Sequence, residues 1–511
     1  MQTIFRLHWR TYLIGLVFCC VIGFGFTVRT YHLDFPLLTF DEAFSWGMGR
    51  FSPREIVQRT GADVHPPLYY VILHYWVEVF GAGLMSPRLL SAFLGIACAP
   101  MAYLVCVEAA ADTRGASRAV VRQGALLVAL LMALHVSQVE SSRSMRMYSL
   151  GVFLAGATTW LLLRAMRPER SGWWWFGYGL AVALFAYTHY YALFSIAGQC
   201  LFVIGTIVRR WRRGSFRAVR ETILGFTYAA VVALVLYGPW LPSFWSQVHA
   251  VRRDYWIPPL SWQAVEKAFF TWTSGRTPTS SVEAHAWFAV VGLVLLFTLC
   301  RGGPGARLFV VSAATPWLLS VGVSLATRSI FVERYLVFAQ VPMLCSLGVT
   351  WRCLPGFSSR VVLATVLIGT FGSGLVDYMR QLPDHPNNLA EAASFVQMHS
   401  QAGDVFLVED ACEVNLFGYY LARSQVKDVT VRTLHTSARI DRLHFGSCLL
   451  SLSPSDIYPA TGQSNSRFPQ RHWMASYADP SGHSVGVKRR IVLRRTFEGE
   501  KGTQFNVILS E

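Results

Sequence analysis

Apolar positions along this 511-residue chain come in long unbroken runs. They show neither the alternation of a half-buried strand nor the narrow stripe of a surface helix. The runs lie near 11–28, 87–107, 123–138, 147–165, 173–191, 192–208, 221–241, 286–300, 307–326, 334–351 and 359–376. Most have about the length a helix needs to cross the hydrocarbon of a bilayer. Lipid offers no partner to a backbone N–H or C=O, so helices are the predicted spanning element. The runs are too long and too continuously apolar for barrel strands. The pattern therefore predicts a helical polytopic membrane protein with about eleven transmembrane helices. Arg6 and Arg10 precede the first run, but the run is long and no small-residue cleavage site follows it. It reads as an uncleaved first span.

Two connecting segments are too long to be turns. Residues 29–86 contain "LLTFDEAFSWG", then "SPREIVQRTG", then "DVHPPLYYVILHYWVEVFG". Ser52, Pro53 and Glu55 form a helix start. Pro66–Pro67 predicts an extended entry into an aromatic-rich amphipathic helix, too short to span and suited to the interface plane. Residues 242–285, with "DYWIPPLSW" near the centre, form the second long loop. From residue 377 the pattern changes: a capped helix, a Gly turn and a strand are predicted over "NNLAEAASFVQMHSQAGDVFLVED". Further β-like runs follow at "VTVRTL", "RRIVLRRTF" and "TQFNVILS", the last two joined by "EGEKG". The predicted organisation is a membrane domain over 1–376 and a small α/β domain over 377–511. The Ser- and Pro-rich stretch 451–485 is read as loop.

Composition agrees with this pattern: 53% of residues are hydrophobic, only 14% are charged, and the mean hydropathy is +0.38. Charge adds the orientation. The segments 1–10, 108–122, 164–172, 209–221, 301–307 and 352–360 hold eighteen arginines and four acids, a net charge of +14. The opposite membrane-linked segments carry +2, and the tail is neutral. By the positive-inside rule the N-terminus is cytoplasmic and the tail lies outside. The run "RRWRRGSFRAVR" (209–220) sits between two spans and orients them, so no nucleic acid is implied as a partner. Most cysteines fall within spans and read as small apolar residues. Cys412 and Cys448 lie in the tail, and sequence leaves their pairing open.

The candidate chemistry gathers at one predicted face. Asp41 and Glu42 follow the first span and His65 shares their loop; Glu140, Arg143 and Arg146 lie between the third and fourth runs. "YTHYY" (187–191), Arg252–Arg253–Asp254 and "RSIFVERY" (328–335) reach the same side. Ionisable groups at the edge of lipid are costly and often functional. Each also has an ordinary explanation: a solvated acid pair, arginines snorkelling to the interface, or a histidine in an aromatic belt.

The ordered set "TFDEAFSWG", "DVHPPLYYVILHYW", "RLLSAFLG", "RMYSL", "YTHYY", "WIPP" and "ERYLVFAQVP" resembles the GT-C membrane glycosyltransferases. Its nearest likeness is to the bacterial protein-mannosyltransferase-like group, glycosyltransferase family 39. The resemblance covers roughly 10–350 and the plan of an outward soluble tail. One departure stands out: the family's "SQEARMYSL" is here "SQVESSRSMRMYSL", so Arg146, Met147 and Tyr148 match while Gln138 and Glu140 are displaced.

The resemblance implies a multi-pass protein of the bacterial inner (cell) membrane. It implies a sugar donor on a polyprenyl phosphate and transfer at the outer face to a glycolipid, polysaccharide or protein acceptor. A phosphate leaving group needs no strong acid; the acceptor hydroxyl needs a base and the departing phosphate needs cations. Asp41 resembles the family's catalytic acid and is the expected base, with Glu42 orienting a neighbour or binding sugar. Arg146 and Arg334 are the expected phosphate clamp, because guanidinium can donate two hydrogen bonds to phosphate. His65, Tyr148, His189, Tyr190, Trp256 and Tyr335 are the further substrate-binding candidates. Asp41, Glu42 and His65 are also donors of the kind a divalent cation takes, and the metal stays open at this point. The competing class is a transporter or lipid flippase. Such proteins often carry repeats and midplane polar sites, whereas here no repeat is visible and the charges gather at one face.

Overall fold

In the computed structural model, nineteen α-helices and six strands fall among the described residues. The structure describes residues 2–34, 38–83, 85–110, 117–167, 172–253, 257–382, 388–401, 403–408, 411–423, 430–434, 457–458, 472–476, 491–498 and 504–510. Trp256, Asp254 and Cys448 lie outside the described residues, as does most of 451–485. The chain divides into two compact units. One comprises Met1–Tyr31, Arg88–Ser246 and Tyr255–Met379; the other comprises His32–Pro87, Gln247–Asp254 and Arg380–Glu511.

The first unit is a bundle of long apolar helices. It contains α1 (Gln2–Thr30), most of α5 (Met85–Ala110), α6 (Arg118–Leu134), α7 (Val136–Arg143), α8 (Tyr148–Ala165) and α9 (Gly172–Ala186). After these come α10 (Ala192–Arg212) and α11 (Phe216–Tyr237). A helix α12 (Leu241–Arg253) crosses the division between units; α13 (Trp262–Ser274), α14 (Ser281–Arg301), α15 (Gly303–Ala326), α16 (Gln340–Cys353) and α17 (Gly356–Gln381) complete the unit. Among the described residues nine helices are long and apolar enough to cross a membrane, and the pair α6–α7, bent by 55°, makes a tenth. Two of the eleven expected spans are thus corrected. The run 123–138 is broken at His135, and the run 173–191 is a 15-residue helix that ends at Ala186. Small residues allow close backbone approach between these helices: a Cβ on Gly124 of α6 would stand 2.9 Å from the carbonyl oxygen of Gly348 in α16.

Two buried arginines fasten the end of α1. Arg29, 1% exposed, donates to the carbonyl oxygens of Met132 (2.9 Å) and Ala133 (3.4 Å) near the end of α6. Arg143 donates to the carbonyls of Val28 (3.1 Å), Arg29 (3.2 Å) and Tyr31 (2.7 Å). The last carbonyls of a helix have no intrahelical partner, and these guanidinium groups supply one. Arg143 thus caps the end of α1 from α7.

The second unit holds the first long loop and the tail. The loop forms α2 (Phe40–Met48), α3 (Pro53–Gly61) and α4 (Leu68–Phe80). Ser52 and Glu55 form a capping box at the start of α3, and α4 has 13 residues after its two prolines, both as the sequence predicts. The tail supplies α18 (Asn388–His399), α19 (Ala411–Arg423) and strands β1 (Val405–Val408), β2 (Thr430–Leu434), β3 (Ile457–Tyr458), β4 (His472–Ser476), β5 (Ile491–Glu498) and β6 (Gln504–Ser510). They make one sheet in the order β3-β2-β1-β4-β6-β5. Strands β1–β4 are mutually parallel where they pair; β6 runs antiparallel to both β4 and β5. Trp473 of β4 is fully buried, and its Nε1 donates to Asp404 Oδ2 at 3.0 Å. Strands β3 and β4 fall within 451–485, so that stretch is not all loop. The pairing of β4 between β1 and β6 gives it partners that its own Ser- and Pro-rich surroundings do not announce.

Candidate active site

The acid pair lies on the first turn of α2. Thr39 is the N-cap: its side chain accepts from the Glu42 N–H at 3.3 Å. Glu42 Oε2 in turn accepts from the Thr39 N–H at 3.1 Å and the Thr39 hydroxyl at 3.3 Å. Glu42 is 1% exposed and Asp41 is half-buried. Two adjacent acids thus take different tasks: Glu42 closes a capping box, and Asp41 stands one position earlier on the helix N-terminus, whose dipole favours the ionised carboxylate.

α2 is held by the tail. The N–H of Leu38 donates to Tyr420 Oη of α19 at 3.0 Å, and the rings of Trp46 and Tyr419 meet edge-on at 5.8 Å. Gly47 permits this contact, since a Cβ there would lie 2.3 Å from Asn415 Nδ2. His65 Nδ1 bonds Asp63 Oδ2 at 3.2 Å, and Asp63 is 2% exposed. Among the described residues no group of three or more His, Cys, Asp or Glu could hold a metal ion.

In the helical unit, Tyr148, His189 and Tyr335 come together. Ring centroids are 4.6 Å apart for His189 and Tyr335, 6.1 Å for Tyr148 and His189, and 6.3 Å for Tyr148 and Tyr335. Tyr191 completes the group, 5.2 Å from Tyr335, and its hydroxyl donates to the Ile330 carbonyl. Arg334 is exposed, with its guanidinium 5.7 Å from the Tyr335 ring. It is in electrostatic reach of Glu140, which in turn acts on Glu333; Lys267 of α13 acts on Glu333 as well. Arg146 is only 4% exposed, which separates it from an arginine snorkelling at a lipid interface. Tyr190 is elsewhere: its hydroxyl accepts from Trp240 Nε1 at 3.0 Å and its ring packs 5.1 Å from Phe244.

A buried polar network supports the segment that carries Arg334 and Tyr335. His135 Nε2 and Gln340 Nε2 both donate to the Trp272 carbonyl, at 3.0 and 2.9 Å. Gln138 donates to Gln340 Oε1, and Trp272 Nε1 donates to the Leu336 carbonyl at 2.9 Å. Gln138, displaced from the family motif, is thus a structural residue. Tyr191, Glu333, Lys267 and Asp63 were not singled out from sequence. Tyr191 and Glu333 do lie within the quoted stretches "YTHYY" and "RSIFVERY", which was the available signal.

No family model matches the chain, and no curated protein does. Solved structures do. The chain superposes on ArnT from Cupriavidus metallidurans in the apo state with a TM-score of 0.62, over 98% of both chains, at 12% identity. The chain has the GT-C fold. ArnT from the same organism bound to undecaprenyl phosphate matches with a TM-score of 0.61 at 13% identity, again over 98% of both chains. The apo oligosaccharyltransferase of Archaeoglobus fulgidus matches over 80% of this chain and 64% of its own, with a TM-score of 0.52 and 10% identity.

Proposed function

We propose that this chain is an integral-membrane glycosyltransferase that moves a sugar from a polyprenyl-phosphate donor to an acceptor at the outer face of a bacterial inner membrane. The observation that carries this reading is the end-to-end likeness to ArnT, one of whose structures holds undecaprenyl phosphate. In the reaction the acceptor hydroxyl oxygen bonds to the anomeric carbon as the bond from that carbon to the phosphate oxygen breaks. The hydroxyl proton passes to the Asp41 carboxylate, and the polyprenyl phosphate leaves with the electron pair. A single displacement inverts the anomeric centre. Glu42 fixes α2 through its cap and so fixes Asp41, which is a positioning role. Arg146 and Arg334 stabilise the departing phosphate. Tyr148, His189 and Tyr335 form the ring surface against which donor groups lie.

The test is transfer itself. Purified protein in vesicles receives undecaprenyl phosphate carrying a labelled sugar, with outer-envelope glycolipid, polysaccharide and protein fractions as acceptors. Label should move to one fraction with release of undecaprenyl phosphate. A transporter or flippase would leave the sugar–phosphate bond intact, and an intact donor with every acceptor fraction would overturn the proposal.

A further inference from the structure

The segment that carries Arg334 and Tyr335 is a 3₁₀ helix of seven residues, Glu333–Ala339, directly before α16. Such helices have poorer hydrogen bonds than α-helices, and runs beyond three or four residues are uncommon. Their side chains are also spaced differently. With three residues per turn, positions three apart eclipse, whereas in an α-helix they would diverge by about 60°. Tyr335 and Phe338 are three apart, and both rings lie against His189, at 4.6 and 5.3 Å between centroids. The 3₁₀ form thus sets two rings of this segment on one histidine. The fit behind them is close: a Cβ on Gly151 of α8 would stand 2.3 Å from the Phe338 ring.

So long a 3₁₀ run needs support from outside itself. The segment is buried from Tyr335 onward, where a carbonyl without a partner costs more than one hydrogen bond returns. The partner comes from α13. Trp272 Nε1 donates to the Leu336 carbonyl at 2.9 Å, in the middle of the segment. The Trp272 carbonyl accepts from Gln340 Nε2 at 2.9 Å, and Gln340 opens α16 just past the segment's end. The same carbonyl accepts from His135 Nε2 at 3.0 Å, at the break between α6 and α7. One residue therefore grips the 3₁₀ helix at its middle and at its exit, and is itself anchored to a third element. Trp272, Gln340 and His135 are all buried, so water does not stand in for these bonds. A tryptophan that only filled space would need none of them, since its ring already packs 5.3 Å from that of Trp317.

We propose that Trp272 is a positioning residue for the donor. Its indole N–H and its carbonyl keep Glu333–Ala339 in the 3₁₀ form, and that form keeps Tyr335 against His189. This role depends on Tyr148, His189 and Tyr335 being the donor's ring surface, and Trp272 acts only through them.

The test is equilibrium binding of undecaprenyl phosphate to the full chain in detergent, with unfolding midpoints and sugar transfer measured alongside. Trp272→Phe removes the indole N–H but keeps a ring against Trp317 and the main-chain carbonyl. Its dissociation constant for undecaprenyl phosphate should rise about ten-fold. Trp272→His places a ring N–H near the position of Nε1 and should recover part of the affinity. Tyr335→Leu should itself weaken binding. In that background Trp272→Phe should add about two-fold or less, because its route to the donor is gone. A merely structural tryptophan would lower the midpoint and leave the affinity of the folded protein unchanged. An unchanged dissociation constant in Trp272→Phe, equal losses in Trp272→Phe and Trp272→His, or a full further loss on top of Tyr335→Leu overturns the assignment. If Trp272→Phe does not fold, Gln340→Met, which frees the Trp272 carbonyl, takes its place in the same cycle with the same deciding outcomes. Wild-type protein that binds undecaprenyl phosphate but transfers no sugar would sink the glycosyltransferase reading and leave the positioning role to the binding cycle; wild-type protein that binds none overturns both.

Discussion

Glu42 and Thr39 satisfy one another at the start of α2: each side chain accepts the other's backbone N–H, at 3.1 and 3.3 Å. This reciprocal cap occupies Glu42 and leaves Asp41, one position earlier, as the proposed base. Glutamine can close the same box, because its amide oxygen accepts as a carboxylate does. Glu42→Gln should therefore keep α2 formed and retain most activity. Glu42→Ala should destabilise the unit by about 1 kcal/mol, as for loss of a cap, and lower turnover by displacing Asp41. Thermal unfolding and donor turnover of the two variants check this; equal damage by Gln and Ala would mean that Glu42 acts through its charge.

Asp41→Asn keeps the size of the side chain and removes its basicity. If Asp41 takes the acceptor proton, turnover should fall by about two orders of magnitude or more, with insertion and folding near normal. Rates of sugar release from the labelled donor decide it, and a native rate in the purified variant removes Asp41 from the base position.

Gly47 tests whether the tail positions the acid pair. A methyl group there meets Asn415, so Gly47→Ala must push α2 from α19. Activity should drop while donor affinity, measured by titration, changes less. Gly47→Ala combined with Asn415→Ala makes room and should restore part of the loss. No restoration would argue against this contact as the cause.

Arg29 tests the fastening of α1 to α6. Arg29→Met leaves the Met132 and Ala133 carbonyls without that donor, and stability should fall by about 3 kcal/mol. Arg29→Lys keeps a donor but not the fork, so an intermediate loss is expected. Unfolding midpoints of the reconstituted variants give the order.

How far the sequence carried can be read from particular residues. Long apolar runs give most of the spans directly, because a bilayer imposes length and polarity at once. The break at His135 is not legible, since it depends on a hydrogen bond to Trp272, 137 positions away. Ser52 and Glu55 announce their cap locally, and so do Thr39 and Glu42, yet the same Glu42 reads equally well as a sugar ligand until its partner is seen. The ring group of Tyr148, His189 and Tyr335 comes from three separated motifs whose order suggested a common face. Tyr190 shares the "YTHYY" stretch with His189 but turns to Trp240, a choice that only tertiary packing makes. Strand β4 was missed because its neighbours in sequence are turn-rich while its neighbours in space are β1 and β6.

The orientation expected from the charge distribution has a direct test. Single cysteines replace Ser215, in the basic run, and Ser464, in the tail, each compared with its parent. An impermeant thiol reagent added to intact cells should label position 464 alone, and position 215 only after lysis. Labelling of both from the same side would sink the predicted topology.

The two arginines proposed to hold phosphate differ in surroundings, and this separates their predictions. Arg334 is exposed beside the Tyr335 ring, whereas Arg146 is 4% exposed. Lysine at position 334 keeps the charge but loses the fork, so donor use should weaken partly in Arg334→Lys and severely in Arg334→Ala. An arginine that only snorkels to headgroups needs a stem and a charge, so that alternative predicts equal function with lysine. At position 146 the fork is buried, and Arg146→Lys should cost folding stability as well as donor use, because a buried ammonium meets fewer of the acceptors arranged for a guanidinium. Donor-concentration kinetics on the four variants, with unfolding midpoints alongside, resolve the effects. Unchanged donor affinity and rate in both Arg334 variants would take Arg334 out of the site and leave the phosphate to Arg146.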